Sequence, residues 1–343
     1  MNRKISFVLP VTLQETGLSW RAPANRDTLL RTKLLLRTFL TQFRQDDLAD
    51  FFLVSPDRDA PLLRATLRSV TGDPRYKLLS ELEVCPNLRK ATGSETGEVR
   101  GWRVQQMLKL AISAYVSSEH YVTLDNDIVC IRRCSYDDLV KNGRAVTNCE
   151  TPVDYMRIYT SAFAAREAGI KLRRYARSQK ILGHSLQRPN AQFYGETPVV
   201  LRTDMVSRLL EFLSGRFRGE WSEMLASKGG WTEYGLYYNF LEMTGKLDAF
   251  SFYAGCNCVL DLERSVWQAS EHYRQPRLYD AGHFAQGVLS QGCGVFAAVQ
   301  SWLPVSSWLP ARYGTLDAFY QDLERWLGIG TCETQLGKSP EFC

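Results

Sequence analysis

The chain has 343 residues, 45% of them apolar, which suits a soluble globular protein with a sizeable core, in one large or two small domains. The net charge of +5 is modest and spread along the sequence. It permits anionic ligands such as nucleotides, or acidic lipid, and gives no pointer to nucleic acid. No run approaches the roughly 20 apolar residues of a membrane span, and the nine cysteines lack framework or C-x-x-C spacing, so they read as buried reduced thiols of a cytoplasmic protein.

Ile5 to Leu9 reads as a short buried strand; Pro10 stops the apolar run, so no signal peptide is expected. The loop that follows, Pro10, Val11 and Thr12 onward, lies where an open α/β sheet begins its ligand site. Leu29 to Leu40 has the spacing of an amphipathic helix. Asp50 to Ser55 is a second strand, and Asp57-Arg-Asp59 opens a helix over Leu62 to Val70. Tyr76 to Val84 reads as a third strand with its flanks. The β-α-β-α-β order argues for a mostly parallel sheet flanked by helices.

Residues 86 to 100 read as a mobile loop, and Gly101 to Tyr115 as a helix whose Val104, Met107, Leu108, Ala111, Ile112 and Tyr115 face the core. Trp102, Arg103, Gln106 and Lys109 fall near its start or on other faces. The helix leads into Tyr121-Val-Thr-Leu-Asp-Asn-Asp-Ile-Val-Cys130, an apolar strand ending in Asp125, Asn126 and Asp127. Alternation along a strand would turn Asp125 and Asp127 one way and Asn126 the other. Adjacent carboxylates repel, and a divalent cation relieves that repulsion, with hard oxygen ligands suiting Mg²⁺ or Mn²⁺. A turn that merely ends the strand is the competing reading.

Residues 135 to 150 read as a polar turn, and Asp154 to Lys180 as mostly helical. Its basic run, Lys171 to Lys180, is either a solvated face or a patch for an anionic acceptor or lipid headgroup. Gln192 to Arg202 reads as a loop, with Gly195 and Pro198, feeding a buried strand, and Met205 to Leu213 as a short helix. In Gly229-Gly-Trp-Thr-Glu-Tyr234, Thr232 can cap a helix. Glu233 is then either a first-turn carboxylate or a general base for an acceptor hydroxyl. Asp248 to Leu260 and Val295 to Trp302 read as strands, with Gln300 or Ser301 as possible site residues. Leu316 to Leu327 reads as a closing helix, and 331–343 as a disordered tail.

Three of these features together resemble the nucleotide-sugar glycosyltransferases of GT-A type. They are the β-α-β-α-β half, the Gly-Trp-Arg-x-Gln-Gln-x-Leu-Lys-Leu helix running into Leu-Asp-Asn-Asp, and the later Trp231-Thr-Glu-Tyr234; the pattern is similar to that of bacterial polysaccharide glycosyltransferases. The resemblance implies a GT-A-like, Rossmann-like α/β fold, with a mostly parallel central sheet and one catalytic domain with C-terminal elaborations. Residues 1–130 would be the donor-binding half and 131–330 the acceptor-binding half. It implies Mn²⁺ or Mg²⁺ held by Asp125 and Asp127, with His283 a candidate third ligand ahead of His120, His184 and His272. It implies a nucleotide-sugar donor, most simply a UDP-sugar, contacted by Pro10, Val11, Thr12, Asp57, Arg103, Gln106, Lys109, Asp125 and Asn126. Glu233 would be the base of an inverting enzyme or an acceptor contact in a retaining one, Trp231 and Tyr234 would either stack on sugar rings or be core, and the 192–202 segment would lie beside the acceptor and donor sugar. The acceptor would be a glycan or lipid-linked saccharide, with peripheral contact at the inner face of a membrane. Rival readings are a metal-dependent nucleotidyl or phosphoryl transferase, which here lacks a P-loop, and a non-catalytic carbohydrate- or protein-binding module.

Overall fold

The computed structural model describes residues 3–13, 22–88, 101–185, 193–253, 255, 257–275, 294–299 and 312–329, and of 22–25 the backbone alone. His283, Gln300, Ser301 and the tail 331–343 lie outside the described residues, as does most of the predicted loop 86–100.

Ile5–Pro10 (β1) is buried at every position. It pairs in parallel with Leu48–Ser55 (β2), and β2 pairs in parallel with Tyr76–Ser80 (β3). On its other edge β1 pairs in parallel with His120–Thr123 (β4). The later strands are short: Ile128–Cys130 (β5), Val140–Lys141 (β6), Arg144–Thr147 (β7), Cys149–Glu150 (β8), Phe193–Tyr194 (β9), Val199–Arg202 (β10), Ser251–Tyr253 (β11) and Phe296–Ala298 (β12). The main sheet has the order β10-β4-β1-β2-β3, and only β10 runs antiparallel. The fold is thus α/β with a mostly parallel central sheet, as the strand–helix alternation predicts. Because β10 comes from the second half of the chain and pairs with β4 of the first, one sheet spans both halves.

Register decides which side chains face which layer, since a one-residue slip would invert every side chain. Phe7 sits opposite Phe51 and Val122. The Phe7 face is covered by the Ala22–Gln42 helix, where Phe39 meets Phe7 with ring centroids 4.5 Å apart and Phe51 at 5.1 Å. The opposite face, carrying Tyr121 and Thr123, meets the helices Gly101–Ala111 and Glu233–Met243. There the Tyr121 hydroxyl donates to the Lys109 carbonyl at 2.9 Å. Any polar group on these two helices that faces the sheet is therefore far from water unless a cleft reaches it.

Two predicted segments differ in the structure. The third strand stops at Ser80, because the Ser80 hydroxyl accepts from the Leu82 N–H and caps a short helix, Glu81–Val84. Residues 135–150 do not form a simple polar turn. They hold the helix Tyr136–Leu139 and the β6–β7 hairpin, and β7 continues into a small sheet with β11. The hairpin turns on Asn142 (φ 53°) and Gly143 (φ 74°), a pair suited to the left-handed backbone of a two-residue loop.

Candidate active site

The acidic stretch does not lie on a strand. The β1–β4 ladder ends where the Leu124 N–H donates to the Val8 carbonyl at 2.8 Å. The Asp125 carbonyl then accepts from the Ile128 N–H at 3.2 Å, closing a four-residue turn. Strand alternation therefore does not apply, and Asn126 lines the same cleft as Asp125 and Asp127 instead of pointing away. The turn is tied down from behind. The Asp127 carbonyl accepts from the Val299 N–H at 2.6 Å, and the Val299 carbonyl accepts from the Arg31 guanidinium. Arg31 is fully buried in the Ala22–Gln42 helix and pairs with Asp27 at 2.8 Å. Asp27 also accepts from the Tyr320 hydroxyl at 2.6 Å.

The turn forms one wall of a cleft of about 360 Å³ at the carboxyl end of β4. The opposite wall comes from the Gly101–Ala111 helix and the start of the Glu233–Met243 helix, whose cap is Thr232. Its hydroxyl accepts from the Gly235 N–H at 2.9 Å. Lys109 is the central group. It is 3% exposed, and its Nζ lies 2.7 Å from Asp125 Oδ1, 3.2 Å from Glu233 Oε1, 3.0 Å from Thr197 Oγ1 and 3.2 Å from the Tyr234 hydroxyl. Burial works against its charge. Asp125 first, then Tyr234 and Glu233, outweigh burial and hold the ammonium pKa well above its ordinary value. Burial pushes the Glu233 carboxyl up; Lys109 opposes the rise without cancelling it, and Asp125 adds to it. Gln106 completes the wall, its Oε1 accepting from the Glu233 N–H at 3.3 Å.

The predicted residues divide clearly. Asp125, Asn126, Asp127, Gln106, Lys109 and Glu233 all line the one cleft, and Lys109 and Gln106 are buried there, not on outer faces of their helix. Pro10, Val11, Thr12 and Asp57 do not line it. Asp57 is exposed, while its neighbour Asp59 is buried and accepts from the Leu13 N–H at 2.8 Å, tying the loop after β1 to the end of β2. Arg103 turns away and donates to the Ala226 carbonyl at 2.7 Å. Trp231 is core, its indole N–H shared between the Leu225 and Lys228 carbonyls, and Tyr234 joins the Lys109 network through Thr123 and Thr197. His120 is fully buried in β4, and His272 stacks on Phe163 with centroids 4.3 Å apart.

The resemblance puts the 192–202 segment beside the sugars without singling out Glu196 or Thr197, which line the cleft; Trp267 in the lining and Arg31 behind it were missed altogether. Sequence reasoning left Arg174 inside an undifferentiated basic run. Arg174 pairs with Glu196 at 2.7 Å and lies 5.2 Å over the Trp102 ring at the cleft. The signal available was periodicity: Lys171, Arg174 and Ser178 fall on one face of the Ser161–Leu182 helix.

A divalent cation fits this lining. Four carboxylates, Asp125, Asp127, Glu196 and Glu233, face two cations, Lys109 and Arg174, leaving two negative charges. Lys109 takes one oxygen of Asp125, and the other Asp125 oxygen and the Asp127 carboxylate are hard donors. Among the described residues no group of three or more His, Cys, Asp or Glu side chains converges on one point. The protein would thus supply one or two carboxylates, which is the usual Mg²⁺ arrangement.

Three solved structures show a distant likeness to this chain. Mouse xyloside xylosyltransferase 1, in its apo form, is 11% identical with a TM-score of 0.44, over 90% of this chain and 100% of that one. The galactosyltransferase LgtC, in complex with donor and acceptor sugar analogs, is 12% identical with a TM-score of 0.41, over 95% of each chain. The 4-diphosphocytidyl-2C-methyl-D-erythritol synthase of Anaerococcus prevotii is 12% identical with a TM-score of 0.37, over 74% of this chain and 88% of that one. At this level the likeness carries no functional argument. No curated protein matches the chain. Residues 2–324 match the model described as "Family of unknown function (DUF6492)", and the chain belongs to that family.

Proposed function

We propose that the protein is a glycosyltransferase of GT-A type that moves a sugar from a nucleotide-sugar donor to a hydroxyl of a saccharide. The observation that supports this most is the convergence, in one cleft, of the Asp125–Asp127 turn, buried Lys109 and the helix-start carboxylate Glu233. Glycosyl transfer needs a site for a departing diphosphate and a group that takes the proton of the attacking hydroxyl. The turn, with Asn126, faces the first requirement. Glu233 suits the second, since its raised pKa makes it a better proton acceptor than an ordinary carboxylate. Lys109 holds Asp125 and Glu233 apart from each other's charge and fixes both. Asp125 and Asp127 would hold Mn²⁺ or Mg²⁺, which would supply Lewis-acid stabilisation of the departing diphosphate. A UDP-sugar is the simplest donor. Pro10, Val11, Thr12 and Asp57, at the strand ends outside the cleft, are the weakest part of the donor assignment; Arg103 is withdrawn from it by its bond to Ala226. The reading includes a cytoplasmic setting, consistent with five described cysteines that are all free thiols. No described helix is long and apolar enough to cross a membrane.

The test is a thermal-shift series with UDP, GDP, CMP and ADP, each with and without Mn²⁺. A ligand of the native state raises the melting temperature by mass action. One nucleoside diphosphate should give a Mn²⁺-dependent rise that disappears in Asp127→Ala. A shift with CMP in the absence of metal would keep sugar transfer and remove the metal from Asp125 and Asp127. No shift with any nucleotide would overturn the proposal.

A further inference from the structure

Beside the main cleft lies a second cavity of about 90 Å³ that shares Glu196 and Trp267 with it. Its remaining lining includes Glu150, Tyr155, Tyr159, Glu167, Lys171 and Gln268. The basic run of the Ser161–Leu182 helix reaches this region, and its charge here is already spent. Lys171 Nζ lies 2.7 Å from Glu150 Oε2, which also accepts from the Tyr155 hydroxyl, and Arg174 is matched to Glu196 at 2.7 Å. Glu167, one turn before Lys171, adds a third carboxylate to a lining whose single cation is Lys171; Arg174 and Arg166 act on it from outside the lining. The walls are aromatic, and they are held in place. The Trp267 backbone N–H donates to the Tyr273 hydroxyl at 2.7 Å, and the Tyr273 ring packs on Tyr159 with centroids 5.1 Å apart.

Aromatic faces with a few fixed polar groups are what a sugar ring requires: apolar contact for its C–H face, and carboxylate acceptors for its hydroxyls. The same carboxylates penalise an anionic ligand, because juxtaposed like charges are costly and three carboxylates face one cation in the lining. We propose that this side cavity is part of the acceptor subsite, that it seats one face of an uncharged sugar ring whose remainder lies toward the open cleft, and that it rejects sugars bearing a carboxylate or phosphate. The inference rests on the glycosyl-transfer reading above. It reverses the expectation that the basic run serves an anionic acceptor or a lipid headgroup, since the two lysine and arginine side chains that face inward are both neutralised.

The test is saturation-transfer NMR on the full chain with methyl β-glucoside, methyl β-galactoside, N-acetylglucosamine, glucuronate and galacturonate, with UDP and GDP binding measured in parallel. At least one uncharged sugar should bind, with each uronate at least tenfold weaker. In Glu167→Lys the uronate penalty should shrink at least fivefold; Glu167→Gln, nearly isosteric, should shrink it in the same direction if the lysine variant fails to fold. Uronate binding as tight as that of the uncharged sugars, no binding by any of the uncharged sugars, or a penalty unmoved in both variants would overturn the inference. Failure of UDP and GDP, and of CMP and ADP in the thermal-shift series, to bind while the uncharged sugar still binds selectively would overturn the glycosyl-transfer reading and leave the cavity a neutral-sugar site.

Discussion

Lys109 shows how a single side chain can set the charge of a site. A lysine at 3% exposure is tolerated because Asp125 and Glu233 both reach it. Replacing it by Met keeps the volume and leaves two carboxylates facing each other in a buried wall. Lys109→Met should therefore lose about 3–5 kcal/mol in chemical denaturation, the range for breaking a buried pair. A loss under about 1 kcal/mol would mean that the pair is not seated as described. Glu233 behaves in the opposite sense. Its folded pKa is raised above the ordinary 4.5, so the stability it contributes is fully present below that value and is lost as pH rises through the folded value. Glu233→Gln removes a carboxylate whose ionisation burial opposes, and Lys109 keeps Asp125 as a partner, so the variant should lose less stability than Lys109→Met. Its turnover should nonetheless fall by about 10²–10⁴, the usual contribution of a general base. A variant that is both less stable and fully active would remove Glu233 from the proton transfer.

At the scale of elements, the strands of the main sheet were legible because burial on both faces leaves near-continuous apolar runs such as Ile5–Pro10. The cap at Thr232 was legible for an equally local reason, its own hydroxyl. Replacing that hydroxyl in Thr232→Ala should cost about 1 kcal/mol of stability, read as a shift in denaturation midpoint. What failed was long-range. Nothing near Trp267 in the sequence says that the 257–268 segment meets the Asp125 turn, and only the family resemblance, not any local pattern, brings Glu196 and Thr197 of the 192–202 segment there. The turn itself was misread because Asp125 and Asp127 follow an apolar run without a break, and a strand end and a tight turn share that appearance. Asn142-Gly143 was, by contrast, a readable hairpin signal inside what was taken as a polar turn. Gly195 shows the same long-range dependence in a testable form. A Cβ there would sit 2.6 Å from the Asn148 Cβ, while the Gly195 N–H donates to the Asn148 carbonyl at 2.9 Å and so cannot back away. Gly195→Ala should cost about 1–3 kcal/mol and loosen the adjacent Arg174–Glu196 pair. An unchanged midpoint would show that the β8–β9 contact is not closed.

Across the whole molecule, the sheet joins the two halves of the chain at one edge, β4 with β10; the Asp125–Asp127 turn directly follows β4, and the fully buried His120 begins it. Tyr121 and Thr123 face the site helices, so alternation puts His120 on the opposite face with Val122. His120 is 0% exposed, and among the described residues neither ring nitrogen has a hydrogen-bond partner. Burial lowers its pKa from 6.5 to about 4, with Glu119 and Asp204 pulling upward and Arg202 downward. The unfolded chain thus binds a proton across a window in which the folded chain does not. His120 contributes stability that is fully present above pH 6.5 and is lost as pH falls toward about 4. At pH 4.5 the loss from this one group is about 2.5 kcal/mol. His120→Leu fills the same buried position without a titrating group. Urea denaturation of both proteins at pH 7.5 and pH 4.5 separates this group from the carboxylates, which titrate alike in each. The variant should gain about 2.5 kcal/mol relative to the parent on going to the lower pH. A difference that stays constant between the two pH values would mean that water reaches His120, and that the β4–β10 edge joining the two halves is open.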